Sequence, residues 1–224
     1  MIRLLITAGP TREPIDAVRF IGNRSSGKLG LAIAHAAAAD DRFKTTLLLG
    51  PGVHIMEPSH TSDRLPLNTF RFESTDDLAD LLDQHFPACD VLVMAAAVAD
   101  YRPIRTIEGK LSRSRGPLTL KLTPTPDLTA QCAARRHPRQ RIIAFALEPS
   151  DQLESRAIEK LMRKNVDAII ANPLKTMGAD EIEPLWITRN GSRETPGRLN
   201  KHDFATWLLN RICSMSLNIN HENK

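Results

Sequence analysis

Residues 22–28, GNRSSGK, form the segment of this chain best suited to bind an anion. They match seven of the eight positions of the phosphate-binding pattern GxxxxGK[ST], but Leu29 replaces the hydroxyl that holds Mg²⁺ in that pattern. The backbone N–H groups at a helix start favour an anion, and a helix is predicted to begin here. We therefore assign phosphate or substrate binding to Ser25, Ser26, Gly27 and Lys28. The alternative is a plain helix cap followed by a solvated lysine.

The elements that must position this segment alternate between apolar runs and helical stretches, a pattern that predicts an α/β fold. We expect a Rossmann-like, mainly parallel sheet flanked by helices. Strands are predicted over residues 3–8, 45–49, 69–72, 90–97, 118–122, 141–147 and 167–171. Helices are predicted over residues 27–40, 75–85, 152–164 and 203–213, with one more that has Pro126 at its first position. Ser25 or Ser26 is the predicted cap of the first helix.

Two further stretches differ from this alternation. Asn190-Gly191 is the strongest short hairpin signal and predicts a C-terminal β-hairpin between residues 185–188 and 192–195. Residues 100–117 are basic and poor in apolar side chains, so they are predicted to form an extended loop. We expect a single domain over residues 1–217 and a flexible tail over residues 218–224.

Composition excludes several classes of protein. With 42% hydrophobic and 25% charged residues, the 224-residue chain is typical of a folded globular domain. Its net charge of +4 is not concentrated as in a nucleic-acid-binding protein, and no apolar run is long enough for a membrane span. Three cysteines without a CxxC pair, and no signal peptide, indicate reduced thiols and a cytoplasmic location. No histidine spacing indicates a metal cage, so metal ligands stay unassigned.

A series of motifs resembles the phosphopantothenoylcysteine synthetase family of coenzyme A biosynthesis. The motifs occur in family order: ITAGPTREPID at 6–16, VRFIGNRSSGKLG at 18–30, AAAVADYR at 95–102, Lys110, PDL at 126–128, AFALE with Phe145, and KLMRKNVD at 160–167 followed by AIIAN. The resemblance implies a Rossmann-like ligase that works as a homodimer and requires Mg²⁺. It also implies the stand-alone form without a flavin decarboxylase domain, and hence no FMN.

The resemblance further implies a two-step reaction. The carboxylate of 4′-phosphopantothenate attacks the α-phosphate of a nucleoside triphosphate, CTP being favoured over ATP, and pyrophosphate leaves. The amine of cysteine then attacks the acyl-nucleotidyl intermediate and releases the nucleoside monophosphate. Two anions must meet in the first step, so preorganised donors and cations are the expected means of catalysis.

The family's site residues transfer to matching positions of this sequence. Catalysis is assigned to Asn23, Lys110 and Arg19. Nucleotide binding is assigned to Met94, Ala95, Ala96, Asp100, Lys110, Pro126, Asp127, Leu128, Thr129, Phe145, Lys160 and Lys164. Lys160 and Lys164 are four residues apart and are expected on one helix face. The sequence departs from the family at Gly22, at Thr125 and in the lysine-poor stretch that follows Lys110.

Two other functions compete with the ligase. The near match at residues 22–28 leaves open a P-loop kinase or NTPase, although that loop should directly follow the first strand and here lies about fourteen residues beyond it. A nucleotide-binding module of the same fold without catalytic activity is the third hypothesis.

Overall fold

The computed structural model describes residues 1–54, 67–113 and 116–221. The helices are α1 (Lys28–Ala38), α2 (Thr75–His85), α3 (Leu128–Ala134), α4 (Leu153–Lys164) and α5 (Lys201–His221). The strands are β1 (Ile2–Ala8), β2 (Arg12–Pro14), β3 (Phe20–Gly22), β4 (Phe43–Leu49), β5 (Asn68–Arg71), β6 (Val91–Met94), β7 (Tyr101–Pro103), β8 (Leu122–Pro124), β9 (Arg141–Glu148), β10 (Ala168–Pro173), β11 (Glu181–Ile182), β12 (Leu185–Thr188), β13 (Arg193–Glu194) and β14 (Leu199–Asn200).

Eight strands form the main sheet in the order β13-β12-β10-β9-β6-β1-β4-β5. The six strands from β10 to β5 are parallel, while β12 and β13 add an antiparallel edge. Numbered along the chain from the β5 edge, the parallel strands run 3-2-1-4-5-6, the order of the dinucleotide-binding fold. The predicted fold class is confirmed, and the strand order reverses between β1 and β6.

Helices cover both faces of the sheet. Ile33 of α1 and Phe204 of α5 are fully buried on one face, and Leu78 of α2 and Leu161 of α4 pack on the other. β6 is buried along its whole length because it lies between two strands and between two helical layers. This rigid centre holds the loops that leave the carboxyl ends of β1 and β6.

Two predicted helix starts are wrong in detail. Gly27, not a serine, caps α1, with a left-handed φ of 68° and no side-chain cap bond. A Cβ at this position would lie 2.5 Å from Val53 Cγ2, so only glycine fits there. Pro126 precedes α3 rather than opening it, because Asp127 caps the helix by accepting from Ala130 N at 3.1 Å.

Three predicted segments differ from the structure. Residues 118–121 alternate as a strand does but have no sheet face to cover, and the pairing strand is β8, which pairs with β7 inside the predicted loop. The polar loop after β1 contains the hairpin β2–β3. The last helix extends beyond its predicted end at residue 213 to His221. The hairpin β12–β13 is confirmed, with Gly191 in the left-handed region. The division at residue 217 stays a prediction, and residues 222–224 of the tail lie outside the described residues.

Candidate functional site

The site lies where the strand order reverses, at the carboxyl ends of β1 and β6. Hydrogen bonds join the loops that leave these strands: Ala97 N donates to Gly9 O at 2.9 Å, and Thr11 N donates to Ala97 O at 3.2 Å. The buried Thr7 hydroxyl accepts from Ala96 N at 3.0 Å. The two loops therefore form one rigid unit, at the position where open α/β sheets bind their ligands.

Glycines let the start of α1 approach this unit closely. A Cβ at Gly30 would lie 2.6 Å from Ala8 Cβ, and a Cβ at Gly27 would lie 3.1 Å from Gly9 Cα. These three glycines take the places of the G-x-G-x-x-G dinucleotide fingerprint, with residues 10–26 inserted after the first. Sequence reasoning missed this arrangement because a contiguous pattern does not match it; the spacing Gly27-x-x-Gly30 was the available signal.

The first turn of α1 has the kind of N–H groups that favour an anion. Its N–H groups have no intrahelical partner, and no side chain caps them. The exposed Lys28 Nζ lies 3.2 Å from Asp180 Oδ1, a solvent-exposed pair that contributes little to stability. Burial and the charge of Lys28 lower the pKa of Lys201, which donates to Ala179 O beside this pair. Lys201 was not predicted, because only the tertiary fold brings it to Lys28.

Asn23 is exposed and belongs to the same unit. Its side-chain nitrogen Nδ2 donates to Ala97 O at 3.1 Å and to Val98 O at 3.0 Å. Because both neighbours are carbonyls, the amide must direct its NH₂ at them and leave Oδ1 outward. The amide donors expected to hold a substrate carboxylate are thus engaged by the loop after β6. Both N–H groups of the Asn23 amide are therefore occupied in this structure.

A second group of predicted residues lies around Arg19 and Lys110. Arg19 Nη1 lies 3.1 Å from Asp16 Oδ2, and Arg19 Nη2 donates to Leu111 O at 2.9 Å. Burial pushes the pKa of the Asp16 carboxyl up, but three backbone donors and the Arg19 charge outweigh it and hold the pKa below its usual value. Lys110 is exposed, and its ammonium has no hydrogen bond or ion pair among the described residues.

The predicted nucleotide residues on α3 and α4 interact with one another or with neighbours. Lys164 Nζ lies 2.6 Å from Asp127 Oδ2, and Lys160 Nζ lies 2.5 Å from Glu148 Oε1. Burial alone would raise the pKa of Asp127. The bonds from Lys164 and from a backbone N–H have the larger combined effect, so the pKa lies below its usual value. The departure at Thr125 has a structural role, since its hydroxyl donates to Ala99 O and its N–H donates to Asp100 O at 3.0 Å.

The structure does not bring every predicted residue to one surface. Phe145 packs edge-on against Phe204 at a 6.3 Å centroid distance, on the sheet face opposite α4 and its lysines. Met94, Leu128 and Thr129 are buried, so a ligand cannot reach their side chains in this structure. The group formed by Asn23 and residues 95–98 is therefore the most compact part of the predicted site.

No predicted site residue lines either of two surface cavities. One, of about 440 Å³, lies beside Arg71 and Asp80, and the other, of about 210 Å³, lies beside Lys175 and Arg198. The site is instead an open polar edge of the sheet.

In the part of the chain that the structure describes, no three acidic, histidine or cysteine side chains are grouped to hold a metal. No helix there has the length and apolar character needed to cross a bilayer.

The strand order and the glycine contacts define an α/β protein of the Rossmann-like class, with an uncapped helix start at the reversal of strand order. Residues 1–215 match the family model described as DNA/pantothenate metabolism flavoprotein C-terminal domain. The chain belongs to this family.

Individual relatives agree with this membership. The coenzyme A biosynthesis bifunctional protein CoaBC of Mycobacterium tuberculosis is 40% identical over 221 residues, which cover 94% of this chain and 50% of that protein. A prokaryotic cysteine/cysteine sulfinic acid decarboxylase is 41% identical over 177 residues, covering 79% of this chain and 47% of that protein. The chain thus spans about half the length of the curated relatives it matches.

Solved structures share the fold. The crystal structure of the C-terminal domain of a CoaBC protein has a TM-score of 0.79 at 32% identity, covering 97% of this chain and 96% of that one. A Cab2 variant in complex with phosphopantothenate-cysteine has a TM-score of 0.77 at 18% identity, covering 100% of this chain and 89% of that one. At that identity, the second comparison shows the fold alone.

Proposed function

We propose that this protein is a phosphopantothenate–cysteine ligase. It activates the carboxylate of 4′-phosphopantothenate with a nucleoside triphosphate, releases pyrophosphate, and forms the amide with cysteine while the nucleoside monophosphate leaves. The observation that carries the proposal is the pairing of two polar features at the carboxyl ends of β1 and β6, the Asn23 amide and the uncapped start of α1. The ammonium of Lys110, without a partner among the described residues, lies on the loop tied to the hairpin β2–β3. Family membership and the name of the CoaBC relatives support the same activity.

The geometry suits a reaction between two anions. The first turn of α1 and Lys28 offer N–H groups and a positive charge to phosphate oxygens. The Asp180 partner of Lys28 is solvent-exposed, so a triphosphate or phosphopantothenate phosphate can replace it at small cost. Lys110 and Arg19 add positive charge from the neighbouring loop and hairpin, where negative charge develops in the transition state.

Asn23 acts in this proposal through the loop after β6. By donating to Ala97 O and Val98 O it fixes the backbone next to Ala95 and Ala96, which we assign to nucleotide binding. Its outward Oδ1 can accept a hydrogen bond from the ammonium or amine of cysteine. If the substrate carboxylate replaced Ala97 O or Val98 O as an acceptor, one N–H of Asn23 Nδ2 would donate to the reacting carboxylate.

Mg²⁺ is proposed to enter with the nucleotide. Such ions are commonly held by one or two carboxylates together with substrate phosphates, which agrees with the absence of a larger acidic cluster among the described residues. Asp100, exposed at the end of the loop after β6, is assigned to nucleotide binding, and the metal ligands stay unassigned. The ion supplies charge neutralisation on the triphosphate when bound.

A homodimer is part of the proposal. Apolar side chains are exposed on the hairpin β2–β3 and on β7 with the residues after it: Val18 at 60%, Phe20 at 50%, Tyr101 at 54% and Ile104 at 62%. We propose that these exposed apolar side chains lie in the subunit interface, since large exposed apolar groups are often found at association sites. Phe20→Ser with Ile104→Ser should convert a dimer to a monomer in sedimentation experiments, whereas a monomeric parent protein would contradict the proposed assembly.

The nucleotide products test the proposed reaction. The protein is incubated with 4′-phosphopantothenate, Mg²⁺, cysteine and either CTP or ATP, and pyrophosphate and orthophosphate are measured separately. A ligase gives pyrophosphate and nucleoside monophosphate only when phosphopantothenate is present, and we expect CTP to be the better substrate. Orthophosphate and nucleoside diphosphate would instead indicate a kinase or NTPase. If neither product forms with either nucleotide, the ligase proposal is contradicted and a non-catalytic module remains.

Reduced thiols and a cytoplasmic location complete the proposal; all three cysteines are free.

A further inference from the structure

Asp16 forms a buried junction between the hairpin β2–β3 and the loop that contains Lys110. Its side chain is fully buried, yet its carboxylate accepts four hydrogen bonds. Oδ1 accepts from Val18 N at 2.8 Å and from Arg19 N at 2.7 Å. Oδ2 accepts from Arg19 Nη1 at 3.1 Å and from Leu111 N at 3.0 Å. All four come from groups that can only donate, so the position requires an ionised carboxylate.

Backbone pairing extends this junction on both sides of Lys110. Ile107 N donates to Ile15 O at 2.9 Å, and Ala17 N donates to Gly109 O at 3.0 Å. Residues 109 and 111 are therefore both tied to the hairpin, while the side chain of Lys110 between them is exposed. We call the pairing of residues 15–17 with residues 107–111 the Asp16 clamp.

The hairpin itself is anchored to the body of the protein. Glu13 on β2 is 2% exposed and accepts from Thr75 N at 3.0 Å and from Thr75 Oγ1 at 2.6 Å, at the start of α2. The clamp thus connects the Lys110 loop to a fixed element. Thermal motion of Lys110 is restricted at its backbone, whereas its ammonium keeps its freedom to reach a ligand.

We propose that Asp16 is a positioning residue for the ligase reaction, acting through Lys110 and Arg19. This inference rests on the proposed function. Asp16 contacts no reacting atom; it fixes the backbone on which the Lys110 ammonium is carried and holds the guanidinium of Arg19 beside it. A displacement of about 1 Å in a charge that stabilises a transition state can cost about 100-fold in rate, so a buried clamp at this point affects turnover.

The clamp persists over the neutral range of pH. The pKa of Asp16 is lowered from its usual 3.8, so the carboxylate contributes stability above that value and loses it as pH falls through the lower pKa of the folded protein. Arg19 is the charged side chain that faces it, and no other ionisable side chain bonds to it among the described residues. Activity near neutral pH should therefore show no step from Asp16.

A double-mutant cycle tests the action through Lys110. Asp16→Asn keeps the shape but turns an NH₂ group toward Leu111 N or Arg19, and we expect kcat to fall about 10- to 100-fold with the KM for cysteine unchanged. In the Lys110→Ala background the same change should cost several-fold less, because one of the two side chains that Asp16 positions is gone and only Arg19 remains. Equal losses in both backgrounds would overturn the proposal. Asp40→Asn, which disrupts a similar local pair with Arg42 far from the site, should leave kcat unchanged.

Amide hydrogen exchange provides a readout that does not depend on activity. Exchange at residues 107–111 should accelerate at least about tenfold in Asp16→Asn but not in Asp40→Asn. Leu111→Pro removes the N–H at the other end of the bond and also fixes φ at position 111, so it should give a kcat at least as low, with the core still protected. Unchanged exchange in Asp16→Asn would overturn the clamp. A wild-type protein that releases no pyrophosphate would contradict the proposed function instead, and the exchange result would still decide the clamp.

Discussion

Two side-chain amides in this protein make the same bonds in opposite settings. At the carboxyl ends of the strands, Asn23 Nδ2 bridges Ala97 O and Val98 O and stays exposed. At the amino ends, Gln140 Nε2 bridges Phe86 O at 2.7 Å and Cys89 O at 3.0 Å, and the residue is 5% exposed. The two amides make the same number of bonds through their NH₂ groups, and they differ in exposure: only Asn23 is accessible to a ligand.

Charged side chains can also be compared by whether they are paired with an opposite charge. At the amino edge, Arg3 pairs with Asp90 at 2.5 Å, and Arg136 pairs with Asp167, which also accepts from Ile142 N at 2.8 Å. The first pair lowers the pKa of Asp90 through the bonds from Arg3. At the carboxyl edge, the ammonium of Lys110 has no partner among the described residues. Lys160 and Lys164 are paired with Glu148 and Asp127, so among the predicted site lysines Lys110 differs in having no partner in the described part of the chain.

The largest effect should come from the exposed amide. Asn23→Ala removes both donors to the loop after β6, and we expect kcat for pyrophosphate release to fall by about 10²–10³. Asn23→Asp should be at least as damaging, since a carboxylate would repel both carbonyls and the substrate carboxylate. The melting temperature should hardly change in either variant, because Asn23 is exposed. Retained turnover in both variants would remove the functional side of the comparison.

The buried amide should show the reciprocal result. Gln140→Ala leaves Phe86 O and Cys89 O without their donor, which costs about 1–3 kcal/mol in the free energy of unfolding. Denaturant unfolding measures this loss, and kcat should match the wild type below the transition. A large fall in kcat with unchanged stability would show that the two edges are not separated as we describe.

Gly30→Ala tests the close contact between the start of α1 and the end of β1. The new Cβ would lie 2.6 Å from Ala8 Cβ, so the helix must move from β1, at a cost of about 1–3 kcal/mol in stability. Because the start of α1 is the proposed anion site, nucleotide KM should rise as well. The matched control is Gly116→Ala, where a Cβ would meet nothing within 4 Å. Equal behaviour of the two variants would contradict the close approach.

The smallest effect concerns pH at the far end of α1. Burial lowers the pKa of His35 from its usual 6.5. Below pH 6.5 the unfolded chain binds more protons than the folded one, so stability should fall as pH drops from 6.5 toward the pKa of the folded protein. The free energy of unfolding, measured at several pH values across this window, should depend less on pH in His35→Gln than in the wild type. An identical slope in the variant would assign the pH dependence to other groups.

Part of the fold followed directly from local sequence. β6 is predicted because its apolar run fits a strand covered on both faces, and α4 is predicted by its charged and apolar spacing. Prediction failed where a local pattern lacked a tertiary surface. Residues 118–121 alternate like a strand but pack on no sheet, and the serines before α1 cap nothing because Gly27 has to fit against Val53.

The candidate site shows the same division. The types of residue at Asn23 and Lys110, and their family positions, could be read from the sequence, as could the alternation that places such residues at strand ends. The hydrogen-bond and ion-pair partners of each side chain could not be read from the sequence. Whether Asn23 donates to substrate or to Ala97, and whether Lys28 is paired with Asp180, depends on chain segments far apart in sequence.

By itself, the sequence determined the α/β class, the family and the residue types available for chemistry, because periodicity and short motifs are local properties. The tertiary structure alone decided which donors are engaged and which are free. It placed Asp16 against Leu111, 95 residues away, and Phe145 on the face opposite α4. Hydrogen bonds and burial depend on distances in space, and the fold sets those distances.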